Sequence, residues 1–116
     1  IDVVPFIPIA EISMEEWQNG DLSNKGISEI PVGLPWPEGL QQLNLSRNQI
    51  VDVSGLSNLP EGLLHLNLHN NRIVDVSRLR LPDSLQMLDL SQNQIVDVSG
   101  LSNLPGVLKL ILLEKK

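Results

Sequence analysis

Cysteine and tyrosine are absent from this 116-residue chain, and its aromatic side chains amount to one Phe and two Trp. Without cysteine there is no disulfide to staple the ends, and no thiolate to act as nucleophile or metal ligand. A compact globule normally fills its centre with large rings, so the aromatic poverty points to a core of stacked aliphatic side chains. Positive charge is also scarce: 8 Lys and Arg against 14 Asp and Glu leave a formal charge of −6. That balance excludes a phosphate-backbone partner, which Lys and Arg would have to neutralise. No apolar run approaches the ~20 residues that span a bilayer. The first residue is Ile1 rather than Met, which suggests a processed chain or a piece of a longer one and leaves signal peptides undecided.

What the chain does have is a repeat of about 23 residues. Its best copy runs Leu40, Leu43, Leu45, Asn48, Ile50, Val53, Leu56 and Leu59-Pro60. The same frame returns as Leu63, Leu66, Leu68, Asn71, Ile73, Val76, Leu79 and Leu81-Pro82, then as Leu85, Leu88, Leu90, Asn93, Ile95, Val98, Leu101 and Leu104-Pro105. Counting back one unit puts Trp17 under Leu40, Leu22 under Leu45, Ile27 under Ile50 and Trp36 under Leu59, with Gly20 and Lys25 replacing Leu43 and Asn48. This first coil keeps the spacing but loses its central Leu and its Asn. The last coil starts at Leu108 and stops where its Asn would stand. Residues 1–16 lie outside the frame. Pro5 and Pro8 forbid a long helix there, while Ser13 with Glu16 forms a capping box that predicts a short helical turn.

Leucines at these intervals followed by Asn make the chain similar to the leucine-rich repeat family over about residues 17–113. The Ile-Val-Asp-Val-Ser segments resemble the internalin and phosphatase-regulator classes, and Leu-Pro-Glu-Gly-Leu resembles bacterial effector repeats. The resemblance implies an α/β fold: a right-handed solenoid with a parallel sheet on its concave face and short 3₁₀ turns on its convex face. It divides the chain into an N-terminal cap, 1–16, and a repeat domain, 17–116, of about five strands. It implies a non-catalytic scaffold that binds a protein or peptide through the concave face. The alternatives are the recognition module of a larger bacterial effector or regulatory protein, and a structural spacer. Extracellular eukaryotic members often carry disulfide-bonded caps. Their lack here points to a cytoplasmic protein, or a bacterial one secreted into a host cell.

Strand alternation sorts the side chains. Leu43, Leu45, Leu66, Leu68, Leu88 and Leu90 should point inward, and Asn44, Asn67 and Asp89 outward. The outward columns are Gln42, His65 and Met87; Asp21, Asn44, Asn67 and Asp89; Ser23, Ser46, His69 and Ser91; with Asn24, Arg47, Asn70 and Gln92 beside them. Residues 48–60 and 93–105 are identical, yet the strands before them differ, QQLNLSR against QMLDLSQ. The strand face is therefore the diversified surface. From it the candidate partner-binding residues are Gln42, Asn44, Arg47, His65, Asn67, His69, Met87, Asp89 and Gln92. Asn48, Asn71 and Asn93, by contrast, should be buried and bond backbone groups of adjacent turns. Asn71→Ala should cost roughly 1–3 kcal/mol, and Asn70→Ala only about half a kcal/mol.

Other constellations carry less. His65 and His69 lie roughly 13 Å apart along a strand, too far to share one ion, so no metal and no cofactor are expected. Asp52, Asp75 and Asp97 each precede a Val-Ser turn, where a carboxylate bonds backbone N–H groups. Asn44-Leu45-Ser46 matches a glycosylation sequon by chance, since Asn44 falls within a strand. Ser46 or Ser91 with His69 and Asp89 supply the letters of a triad without a water-excluding pocket or an oxyanion hole. The strand at 108–113 ends the sheet with unpaired backbone groups and apolar outward positions, so it should be covered by further residues or by self-association.

Overall fold

The computed structural model describes Ile7, residues 11–96 and the backbone of Leu110–Leu112. The expectations for residues 1–6 and 8–10, and for Asp97, Val98, Leu101, Leu104, Pro105, Leu108 and Leu113, fall outside the described residues.

Helix α1 spans Met14–Asn19. Ser13 caps it: its Oγ accepts the Glu16 N–H, while Glu16 Oε1 accepts the Ser13 N–H. These reciprocal bonds satisfy two of the donors that a helix start leaves open. Gly20 ends the helix in the left-handed conformation, φ 73°. A Cβ on Gly20 would lie 2.1 Å from the Gln42 carbonyl oxygen, so the residue in the place of Leu43 can carry no side chain. The sheet is laid against it, with the Asn44 N–H donating to the Gly20 carbonyl at 2.7 Å.

Three-residue strands follow at one per coil: β1 Gln42–Asn44, β2 His65–Asn67, β3 Met87–Asp89 and β4 Leu110–Leu112. All neighbours are parallel, in the order β1-β2-β3-β4. The first coil, expected to supply a strand, supplies one bridge, Asp21 to Asn44. Its chain has just left α1 through a left-handed residue and is not extended long enough for more.

Register follows the repeat. Leu43 pairs with Leu66, Leu66 with Leu88, and Leu88 with Ile111. The core is a set of columns: Leu40, Leu63 and Leu85; Leu22, Leu45, Leu68 and Leu90; Ile27, Ile50, Ile73 and Ile95, all buried. At the first coil the columns begin with larger side chains, where Trp17 and Trp36 stack with ring centroids 5.1 Å apart.

The second unit is one residue short, and the outer arc absorbs the difference. In the first full unit Ser54–Leu56 forms a 3₁₀ turn. A Cβ on Gly55 would stand 2.0 Å from the Ile30 carbonyl oxygen. The second unit has Arg78 at that place, exposed, with a plain turn at Ser77 and Arg78. Leu56 and Leu79 are nonetheless both buried, so the arcs differ while the columns continue.

Candidate functional site

The outward face of β1–β3 is the candidate site. Its first row, Gln42, His65 and Met87, crosses three hydrogen-bonded strands in register. Gln42 is exposed, and His65 and Met87 are half-buried. None of these three side chains makes a hydrogen bond among the described residues, so their polar atoms and the Met87 thioether face outward uncommitted.

The second row is partly committed. Asn44 Oδ1 accepts the Ser46 N–H at 3.0 Å and the Ser46 hydroxyl at 2.6 Å. Asn67 Oδ1 accepts the His69 N–H at 2.9 Å. Asp89 Oδ1 accepts the Ser91 N–H at 2.9 Å and its hydroxyl at 2.5 Å. Asp21 does the same for Ser23 in the first coil. Each is an Asx-type turn that closes the strand locally. Ser46 and Ser91, expected among the outward side chains, are therefore buried: their hydroxyls turn back onto the preceding Asn or Asp.

A third feature lies beyond what strand alternation shows. Asn24, Arg47, Asn70 and Gln92 all have positive φ, between 54° and 60°. The chain must turn sharply after each strand, and one left-handed residue per coil achieves it. Arg47 and Gln92, lacking the local bonding that eases Asn into this region, bear a strain of about 1–2 kcal/mol. The Asx-x-Ser spacing and the two Asn at this place were the available sequence signals. The Arg47 backbone is held in this region by its N–H, which donates to the His69 carbonyl at 2.8 Å; its side chain is exposed and that of Gln92 half-buried.

Beneath this rim lie the buried amides. Asn71 Nδ2 donates to the carbonyls of Leu45 and Leu68 at 3.0 and 3.1 Å, while its Oδ1 accepts the Ile50 N–H at 3.1 Å. Asn48 and Asn93 repeat the pattern one coil away on each side. In the first coil Lys25 stands in their column and turns outward, pairing with Glu16. That ammonium, then the Ser13 N–H, holds the Glu16 carboxyl at about 2, well below its usual range.

Asp89, Ser91 and His69 do come together, but in the wrong order for acyl transfer. His69 Nδ1 lies 2.8 Å from Ser91 Oγ. Because the Ser91 hydroxyl donates to Asp89, the bond to His69 requires Nδ1–H to be the donor. A nucleophilic serine needs the reverse: a His that accepts its proton and an acid that orients the His. Here the serine is a buried link between two polar side chains. Asp52 and Asp75 likewise act as turn residues, accepting the N–H of Ser54 and Ser77 at 2.9 and 2.8 Å. The Ser77 bonds, foremost the backbone one, lower the Asp75 carboxyl from its ordinary value. Among the described residues no group of His, Asp and Glu is arranged to hold a metal ion, and no helix is long and apolar enough to cross a membrane.

Residues 38–81 match a family model for two copies of the leucine-rich repeat, and residues 84–106 match the model for a single leucine-rich repeat. Together these spans make up more than half of the chain. The chain belongs to the leucine-rich repeat family. No curated protein and no solved structure matches it. Leucine-rich repeats generally mediate protein–protein interaction and are typically non-catalytic modules.

Proposed function

We propose that this leucine-rich repeat chain is a non-catalytic scaffold whose sheet face, the concave face of a right-handed solenoid, binds a protein or an extended peptide. The observation that carries the reading is the row Gln42, His65 and Met87, aligned across adjacent strands with no side-chain hydrogen bond among the described residues. Around it stand Asn44, Asn67 and Asp89, each spending one side-chain oxygen on its own turn, and Arg47, His69 and Gln92 at the strand ends. An adaptable thioether and an imidazole surrounded by amides suit an interface with a few anchors and many weak contacts. The −6 charge supports a protein partner over a nucleic acid. The Leu-Pro-Glu-Gly-Leu and Ile-Val-Asp-Val-Ser segments support a recognition module of a larger bacterial effector or regulatory protein, acting in the cytoplasm or within a host cell. Self-association through 108–113 rests on one observation, that β4 pairs on one side only among the described residues.

The test selects peptides from a displayed library on the wild-type chain and measures them on a Gln42→Glu, His65→Glu, Met87→Asp variant. These positions leave the turns and the buried amides intact, so the variant should melt like the wild type. Selected peptides should lose at least about tenfold in affinity, or 1.4 kcal/mol. Unchanged affinity for the folded variant would move the site off this face.

A further inference from the structure

All the large apolar side chains exposed among the described residues are valines on one flank of the coils, outside the sheet. They are Val51 at 50% exposure, Val74 at 36%, Val96 at 77% and Val32 at 71%. Val51, Val74 and Val96 occupy the same place in three successive units, just after the buried Ile50, Ile73 and Ile95. The backbone there forms a second, shorter ladder. Arg72 donates to Ile50, Gln94 to Ile73 and Val96 to Val74, and Asp52 bridges Asp75. The valines thus form a stripe at one per coil, and Val32 extends it by sharing a hollow with Val51.

Nothing in the core requires valine at these places, because the inward contacts belong to the neighbouring isoleucines. Strand preference alone would accept threonine equally well. Yet all three copies keep Val, including the second unit, whose arc differs from the others in sequence and length. Charge lies alongside. Val51, Val74, Asp52, Asp75 and Arg78 line one hollow, and Glu29 joins Val51 and Asp52 in the next. Asp52 and Asp75 each give one oxygen to the following Ser N–H, and both residues are exposed. In these two hollows three carboxylates, Glu29, Asp52 and Asp75, stand against one arginine, Arg78, while Arg72 is exposed on the ladder beside Val74.

We propose that this valine stripe is a second docking surface, separate from the sheet face, for a basic amphipathic helix of a partner protein. The spacing fits such a helix lying along the stack. Coils bonded like strands repeat about every 4.8 Å, and a helix presents one side chain per turn of about 5.4 Å. A row of aliphatic residues at i, i+4 and i+7 would seat between the valines, with Lys or Arg on the adjoining flank opposite Asp52 and Asp75. A second copy of this chain is a poor occupant, since valine stripes laid face to face would bring the two Asp columns together in a chain of charge −6.

A fluorescein-labelled helical peptide of roughly 15–20 residues, with leucines on one stripe and lysines on one flank, serves as the probe, read by anisotropy. Two variants keep the fold. Val51→Thr, Val74→Thr, Val96→Thr retains the β-branched shape. Asp52→Asn, Asp75→Asn retains the turn-capping oxygen. Saturable binding should weaken at least about tenfold in the valine variant, with an unchanged melting curve. In the aspartate variant binding should lose most of its salt dependence. Variants of Gln42, His65 and Met87 should bind the probe as the wild type does, which separates this surface from the sheet face. Equal binding by wild type and valine variant, equal binding of a glutamate-flanked peptide, or no binding near millimolar probe would each overturn the proposal. So would self-association of the wild type that the valine variant abolishes.

Discussion

Two columns of amide and acid side chains run through this molecule a few residues apart, and they do opposite jobs. On the sheet face, Asp21, Asn44, Asn67 and Asp89 use one oxygen each to close a turn two residues ahead. In the interior, Asn48, Asn71 and Asn93 use both ends of the amide to join residues of adjacent coils, 20 to 26 positions apart. The first column mixes Asp and Asn because either supplies the oxygen. The second holds only Asn at its buried places because only an amide supplies an acceptor and two donors. The chemistry a column tolerates thus reports how many of its atoms are in use.

The contrast is most exposed to failure in an Asn-to-Asp exchange. Asn71→Asp at neutral pH should cost about 3 kcal/mol or more, since a buried carboxylate would face the Leu45 and Leu68 carbonyls. Asn67→Asp should stay within about 0.5 kcal/mol, because its acceptor survives at the surface. Urea melts of the two variants check the pair, and equal midpoints would break the distinction. Asn71→Ala comes next, at roughly 1–3 kcal/mol in the same assay, for stranded backbone groups.

A smaller effect is expected one residue away. Asn70, with φ 59°, is not the indifferent surface residue its sequence context suggested. Asn70→Ala should cost about 1 kcal/mol by placing alanine in the left-handed region. Conversely, Arg47→Asn should stabilise by about 0.5 kcal/mol or somewhat more, relieving strain at the same place in the preceding coil. Thermal melts that move both variants in one direction would refute the backbone explanation.

The smallest expected effect lies in the first coil, where Lys25 replaces the buried amide. Glu16 has its carboxyl lowered from 4.5 to about 2. A carboxyl lowered on folding stabilises above its unfolded value and loses that contribution as pH falls toward the folded value. The wild type should therefore lose a small increment of stability between about pH 4.5 and 2. Glu16→Gln, which keeps the capping box, should lack this part of the acid transition followed by circular dichroism.

Much of this was legible beforehand for a simple reason. Strand side chains reverse at every residue, so the leucine frame alone fixed which side of Leu43, Leu66 and Leu88 meets the core. Asn71 was legible because a polar residue in an apolar column needs bonding partners. Alternation sends Ser46 and Ser91 outward because it says nothing of a hydroxyl folding back on its neighbour. Gly20 stands where the frame calls for a leucine, whereas its role comes from the close approach of Gln42, a contact between units. On the candidate surface, composition offered nine residues as equals. Only the hydrogen bonds separate Gln42, His65 and Met87, with side chains uncommitted, from Asn44, Asn67 and Asp89, already half occupied.

Residue 65 pairs with residue 42 and residue 87 with residue 65, so strand alignment survives units of unequal length. The stretch between Leu56 and Leu59, which the second unit shortens, is therefore a place where the gene can gain or lose codons without shifting the sheet. An addition inside Leu43–Leu45 would instead turn Leu45 toward water. Whole coils can be added between equivalent asparagines, each new one meeting neighbours like those it displaced, because contacts in such an array reach only the adjoining turn. Length is thus an independently adjustable property of this molecule: a longer or shorter version would keep the same cross-section, the same hydrogen-bonded amides and the same two flanks.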